Sequence, residues 1–130
     1  MHRLFWICLA GAAGTAARYL VGLWATRRLG PGFPYGTLIV NLVGCFLIAV
    51  VMNVAAAKSW PETMRLAVTV GFLGGFTTYS SFNYETTSLA GSGAVGLASM
   101  YLLLTLFGGF AAGLLGMLAS RTVIAMLTRS

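Results

Sequence analysis

Four long stretches of this chain carry almost no charge, and nothing else in the sequence limits its fold as strongly. Leu4 to Ala17 is uncharged and stays apolar to Ala25 apart from Arg18, while Leu29 to Ala57, Leu66 to Tyr84 and Thr86 to Ser120 hold no charged residue. A hydrocarbon core about 30 Å thick takes about 20 apolar residues per helix. The runs therefore predict membrane-spanning helices at about 4–25, 36–57, 66–89 and 95–119, forming a single four-helix transmembrane domain over residues 1–130. Composition excludes a water-soluble alternative: 58% of residues are apolar and 8% charged, against roughly 25% charged in ordinary soluble chains. No polar helix face is left to meet solvent. The fold class is all-α, an integral membrane protein.

The few charges narrow the function. Glu62 and Glu85 are the only acids and Asp is absent, which removes most acid/base and metal chemistry and argues against an enzyme. The formal net charge of +6 does not point to nucleic acid, because the basic residues do not cluster. They flank the spans, where Lys and Arg meet lipid headgroups. Arg3, Lys58, Arg65, Arg121 and Arg129 fall on one side, with Arg27, Arg28 and the nearby Arg18 opposite. That near balance votes only weakly for a cytoplasmic N-terminus and permits insertion in both orientations. Arg3 before an apolar run also resembles a signal peptide, but the later spans favour a permanent first helix. Cys8 and Cys45 lie inside apolar runs and read as packing residues. His2 has no Cys, Asp or second His nearby with which to hold a metal.

Short loops leave the work to the bilayer. Gly30-Pro31-Gly32-Phe33-Pro34 is a turn whose prolines continue neither helix. Ser59 reads as the N-cap of the next helix with Glu62 in its first turn, and Gly91-Ser92-Gly93 separates the last two spans. Small residues at Ala10/Gly14, Gly71/Gly75 and Gly109/Gly113 offer faces for close helix packing. A bundle this small does not comfortably enclose an aqueous path alone, so self-association, most simply a homodimer, is expected.

Span three departs from the pattern. Gly71-Phe72-Leu73-Gly74-Gly75-Phe76-Thr77-Thr78-Tyr79-Ser80-Ser81-Phe82 sets paired glycines before a run of hydroxyls and aromatics. Adjacent glycines weaken a helix by about 1 kcal/mol each, and hydroxyls can satisfy backbone groups that a break releases. Two readings stay open: a helix broken near its middle, or an unbroken helix whose hydroxyls bond back one turn. Elsewhere Arg18 either snorkels or serves a pathway, Asn41 lies five residues into span two, and Tyr101 and Thr105 share a face of span four. Tyr79, Phe82 and Glu85 share a face of span three. Arginine, amide and hydroxyl groups all donate hydrogen bonds, and ring edges are partly positive. With Glu85 the one carboxylate within the spans, this inventory suits an anion better than a cation.

These residues resemble the Fluc (CrcB) family of fluoride channels. The likeness rests on Gly36 to Gly44, on Gly71 to Phe82, on Gly14-x-x-x-Arg18 and on Tyr101-x-x-x-Thr105, and it covers the whole length. It implies an antiparallel, dual-topology homodimer in the cell's inner (plasma) membrane, with two passive pores that export fluoride. It also implies one structural Na⁺ held by the Gly74 and Thr77 carbonyls of both copies. Asn41, Thr78, Ser81, Tyr101 and Thr105 would form a polar track, Tyr79 and Phe82 would present ring edges to fluoride, and Arg18 would gather anions at a vestibule. The chain departs from the family at Tyr79, where Phe is usual.

Two rival functions are weighed against the channel. A small four-helix multidrug/proton antiporter needs an acid buried in its first helices, and spans one and two have none; a structural subunit of a membrane complex would use span three only for packing. Glu85 would repel an anion if ionised and unpaired, so it is expected at a pore end, paired or protonated. Glu85→Gln should then change fluoride flux or its pH dependence in proteoliposomes, and an unaltered profile would remove Glu85 from the path.

Overall fold

Helical periodicity runs through nearly the whole chain, and a computed structural model describes residues 1–129 accordingly. Ser130 and the Arg129 side chain, counted above among the basic flanks, lie outside the described set. The elements are α1 (His2–Leu29), α2 (Tyr35–Ala57), α3 (Glu62–Leu66), a π-helical stretch (Ala67–Leu73), α4 (Gly74–Phe76), α5 (Tyr79–Gly91) and α6 (Val95–Arg129). No strand occurs among the described residues. α1, α2 and α6 are each long and apolar enough to cross a membrane. The third expected span is divided into the α3–π–α4 segment and α5.

Burial is inverted relative to a soluble protein. Leu4, Phe5, Trp24, Phe107, Phe110 and Leu114 are exposed, whereas the aromatic core cluster is Phe33, Phe82 and Tyr101, with Leu38 and Leu89 packed against it. Such a surface is stable only in lipid, where apolar side chains lose nothing by facing outward. α2 packs chiefly on α6, and α1 on the π stretch, α2 and α4. Arg3 Nη1 lies 2.8 Å from Glu62 Oε2, and Lys58 Nζ donates to Leu127 O at 2.6 Å. The N-terminus, second loop and far end of α6 therefore meet at one end, as the alternation of spans requires.

Glycines set the closest approaches. A Cβ on Gly14 would collide with the Phe72 carbonyl, and one on Gly75 would come within 2.5 Å of Gly11 O. Gly71 is equally confined: a Cβ there would lie 2.6 Å from Ile7 O. On α6 the tight residue is Gly116, against Phe46 O, while Gly109 and Gly113 have ordinary room at 3.5 and 3.9 Å. The small-residue faces expected for α1 and the third span thus carry the packing, and the α6 face is displaced toward its C-terminal end.

Two other expectations change. Ser59 caps nothing: it has a left-handed φ of 49°, and Pro61 precedes α3 with no side-chain cap. The tight turn after α2 consumes Ser59, and Glu62 begins the helix directly. The last helix also continues past residue 119 to Arg129.

Gly14→Ala should lower the thermal stability of the detergent-solubilised protein by about 1–3 kcal/mol, the usual cost of overpacking. Nothing lies within 4 Å of the position a Cβ would take on Gly22, so Gly22→Ala should leave melting nearly unchanged in the same assay.

Candidate functional site

The break in the third span generates the site. Gly74–Phe76 remain helical, and the chain becomes extended at Thr77 (φ −91°, ψ 158°) and Thr78 (φ −152°, ψ 118°) before α5 starts at Tyr79. The break expected near the middle of the span thus falls at Thr77 and Thr78, just beyond the paired glycines. Gly75 serves the contact with α1 instead. Thr77 and Thr69 hydroxyls do bond back to Leu73 O and Arg65 O, at 2.9 and 2.8 Å, so back-bonding occurs without preserving a continuous helix.

Asn41 on α2 repairs the break. Its Nδ2 donates to Thr78 O at 3.0 Å, and its Oδ1 accepts from Thr78 N at 2.8 Å. One side-chain amide thereby pairs an extended residue as a neighbouring strand would. A collision between Thr77 Cγ2 and any Cβ on Gly44 explains the glycine one turn further along α2. Thr78 then caps α5: its Oγ1 accepts from Ser81 N at 3.3 Å and donates to Ser81 Oγ at 3.1 Å. Because Thr78 N is spent on Asn41, Gly74 O loses its ordinary helical donor. Thr77 O accepts a long bond, 3.4 Å, from Arg18 Nη1.

Glu85 has a similarly built environment. Thr37 Oγ1 donates to Oε1 at 2.8 Å, and the Tyr101 hydroxyl donates to Oε2 at 2.7 Å. The carboxylate is satisfied by neutral donors rather than an ion pair. Thr37 received no role from the sequence, although it precedes Asn41 by one turn on the same helix face, a spacing that could have singled it out.

Cavities that share lining residues run past these groups. An outer cleft of about 600 Å³ is lined by Thr26, Phe33, Thr37, Glu85 and Ser88. Thr37 also lines a cavity of about 360 Å³ with Arg18, Ser81 and Thr78. Thr78 in turn lines a cleft of about 400 Å³ with Asn41, Tyr79, Phe82 and Thr105. Arg18, Asn41, Thr78, Tyr79, Ser81, Phe82 and Thr105 are thus gathered around spaces that share lining residues, and Tyr101 reaches them through its ring contact with Phe82. The shared helix face expected for Tyr79, Phe82 and Glu85 resolves into three environments: Tyr79 is 78% exposed, Phe82 is buried, and Glu85 is half-buried. The Tyr79 and Phe82 ring centroids lie 5.9 Å apart. Thr105 Oγ1 is buried without a partner among the described residues.

Apolar helices, a sparse internal core and a span broken and recapped at a polar seam define a polytopic helical membrane protein with an interrupted helix. Comparison with known proteins resolves the class further. Residues 5–117 match the model of the family described as CrcB-like protein, Camphor Resistance (CrcB). The chain belongs to that family. It is 50% identical over 113 residues to a fluoride-specific ion channel FluC of Anaeromyxobacter dehalogenans, covering 86% of this chain and 90% of that protein. A fluoride-specific ion channel FluC of Sorangium cellulosum is 48% identical over 128 residues, 96% of this chain and 99% of the relative. One from Acidobacterium capsulatum is 42% identical over 124 residues, 95% and 99% of the two chains. These relatives are named as ion channels, not enzymes.

Asn41→Leu would strand both the N–H and the carbonyl of Thr78. A loss of about 2–6 kcal/mol is expected, at about 1–3 kcal/mol per unsatisfied buried group, read as earlier thermal unfolding in detergent. Asn53 donates only to Ala49 O in its own helix, so Asn53→Leu should cost far less.

Proposed function

We propose that this chain is a passive, fluoride-selective channel. The observation that carries the reading is the pair of cavities that share Thr78, whose polar side chains are Arg18, Asn41 and Thr, Ser and Tyr hydroxyls, with no carboxylate among them. Fluoride is small and tightly hydrated, so a selective path must replace its water with close donors. Arg18, the second Nδ2 hydrogen of Asn41 and the Ser81 hydroxyl, which accepts from Thr78 and keeps its own proton, supply such groups, and the names of the relatives support the same ion. The N-terminus of α5 adds the favourable end of a helix dipole beside Thr78. Glu85 orients the Thr37 hydroxyl at the outer cleft and also holds that of the buried Tyr101. Export follows the fluoride gradient, with no coupled proton.

The working unit is an antiparallel homodimer with two pores in the cell's plasma membrane. Near-balanced basic flanks support dual insertion, and the exposure of Tyr79 and Gly74 in the single chain supports a partner over that face. Each copy would bring Gly74 and Thr77 carbonyls to one structural Na⁺. Gly74 fits that donor set because its carbonyl has lost its helical donor; Thr77 O fits with one lone pair engaged by Arg18. When bound, the ion would neutralise converging carbonyl dipoles.

Fluoride efflux from proteoliposomes tests the reading. The protein should release fluoride without a proton gradient and retain chloride, and Phe82→Ile should slow release at least about tenfold, about 1.4 kcal/mol on the barrier. Equal leakage of both halides would refute selectivity, gradient-driven organic-cation uptake would favour the antiporter, and no flux would favour a structural subunit.

A further inference from the structure

The loop between α1 and α2 reaches into the protein through one side chain. Phe33 is 8% exposed although its neighbours Pro31 and Gly32 are exposed. Local chemistry aims it inward: Tyr35 N donates to Phe33 O at 2.8 Å across Pro34, whose φ of −78° and ψ of 60° form an inverse γ-turn. The proline ring holds that φ without help from the rest of the chain.

Phe33 meets Tyr101 edge-on, with centroids 5.3 Å apart and planes at 75°, and Phe82 meets the same ring at 5.2 Å and 73°. Tyr101 is fully buried between these contacts, and its hydroxyl lies 2.7 Å from Glu85 Oε2. A phenol oxygen is rigidly attached to its ring, so whatever fixes the ring fixes the donor. We infer that Phe33 is a positioning residue of the conduction path, a wedge from the loop that fixes the Tyr101 hydroxyl on Glu85. The inference rests on the channel reading. Apolar bulk alone is not the reason for Phe at this place: leucine would still fill the space beside Leu38 and Leu89, but it would present no ring edge to Tyr101.

Fluoride efflux from proteoliposomes, with chloride as the competing ion, tests this. Phe33→Leu should elute in detergent like the parent yet release fluoride about tenfold more slowly, with weaker discrimination against chloride. Phe33→Trp should restore release to near the parental rate. In a Tyr101→Phe background the added effect of Phe33→Leu should shrink to about twofold, since residues acting through one contact are not additive. Should the leucine protein aggregate, Phe33→Met, unbranched and adaptable, replaces it in the same comparison. Parental flux and selectivity in the leucine or methionine variant would overturn the inference alone, as would a loss that tryptophan does not restore or that persists undiminished in the Tyr101→Phe background. A parent protein with no fluoride flux would instead overturn the channel reading and this inference with it.

Discussion

A bilayer interior offers no water to a broken backbone, and the two hydrogen bonds between Asn41 and Thr78 are this protein's answer to that constraint. Helices avoid the difficulty by satisfying their own groups. Thr77 and Thr78 leave the helix, and the cost of exposing their amides to hydrocarbon would be several kcal/mol per group. A side-chain amide carries one donor and one acceptor side by side, so Asn41 can stand in for an adjacent strand where no sheet is possible. Gly44, one turn on, lets Thr77 come close enough for that pairing.

Other features follow from this arrangement. With Thr78 held extended, its hydroxyl is placed to cap α5 through Ser81, and a new helix can start within the protein. Diverting Thr78 N to Asn41 deprives Gly74 O of its donor and leaves Thr77 O to Arg18. The polar groups therefore collect at the seam because the backbone there has become polar. The seam is also where two of the cavities share Thr78 in their walls.

The fold was largely legible. Uncharged runs bounded by Arg27, Lys58, Glu85 and Arg121 marked the spans, and the Gly-Gly-Phe-Thr-Thr run marked the unusual one. Local propensity nevertheless left open whether that span breaks at all. Gly74 and Gly75 weaken a helix, but the choice between helix and extended chain is made at Thr78, by an amide 37 residues away in sequence. The same limit hid the partners of Glu85: Thr37 and Tyr101 lie on different helices, and only their packing brings both hydroxyls to one carboxylate. Ser59 failed as a cap for the opposite reason, because a tight turn used a residue whose type alone suggested capping.

The π-helical stretch Ala67–Leu73 has a consequence for the family's freedom to change length. Each bond there spans one residue more than in an α-helix, so the segment holds slack upstream of Gly74. A lineage that lost one residue between 67 and 73 could absorb the deletion by tightening the coil, with the seam still opposite Asn41. Gaps between homologous chains would then gather in this stretch, in a membrane helix where insertions and deletions are otherwise poorly tolerated.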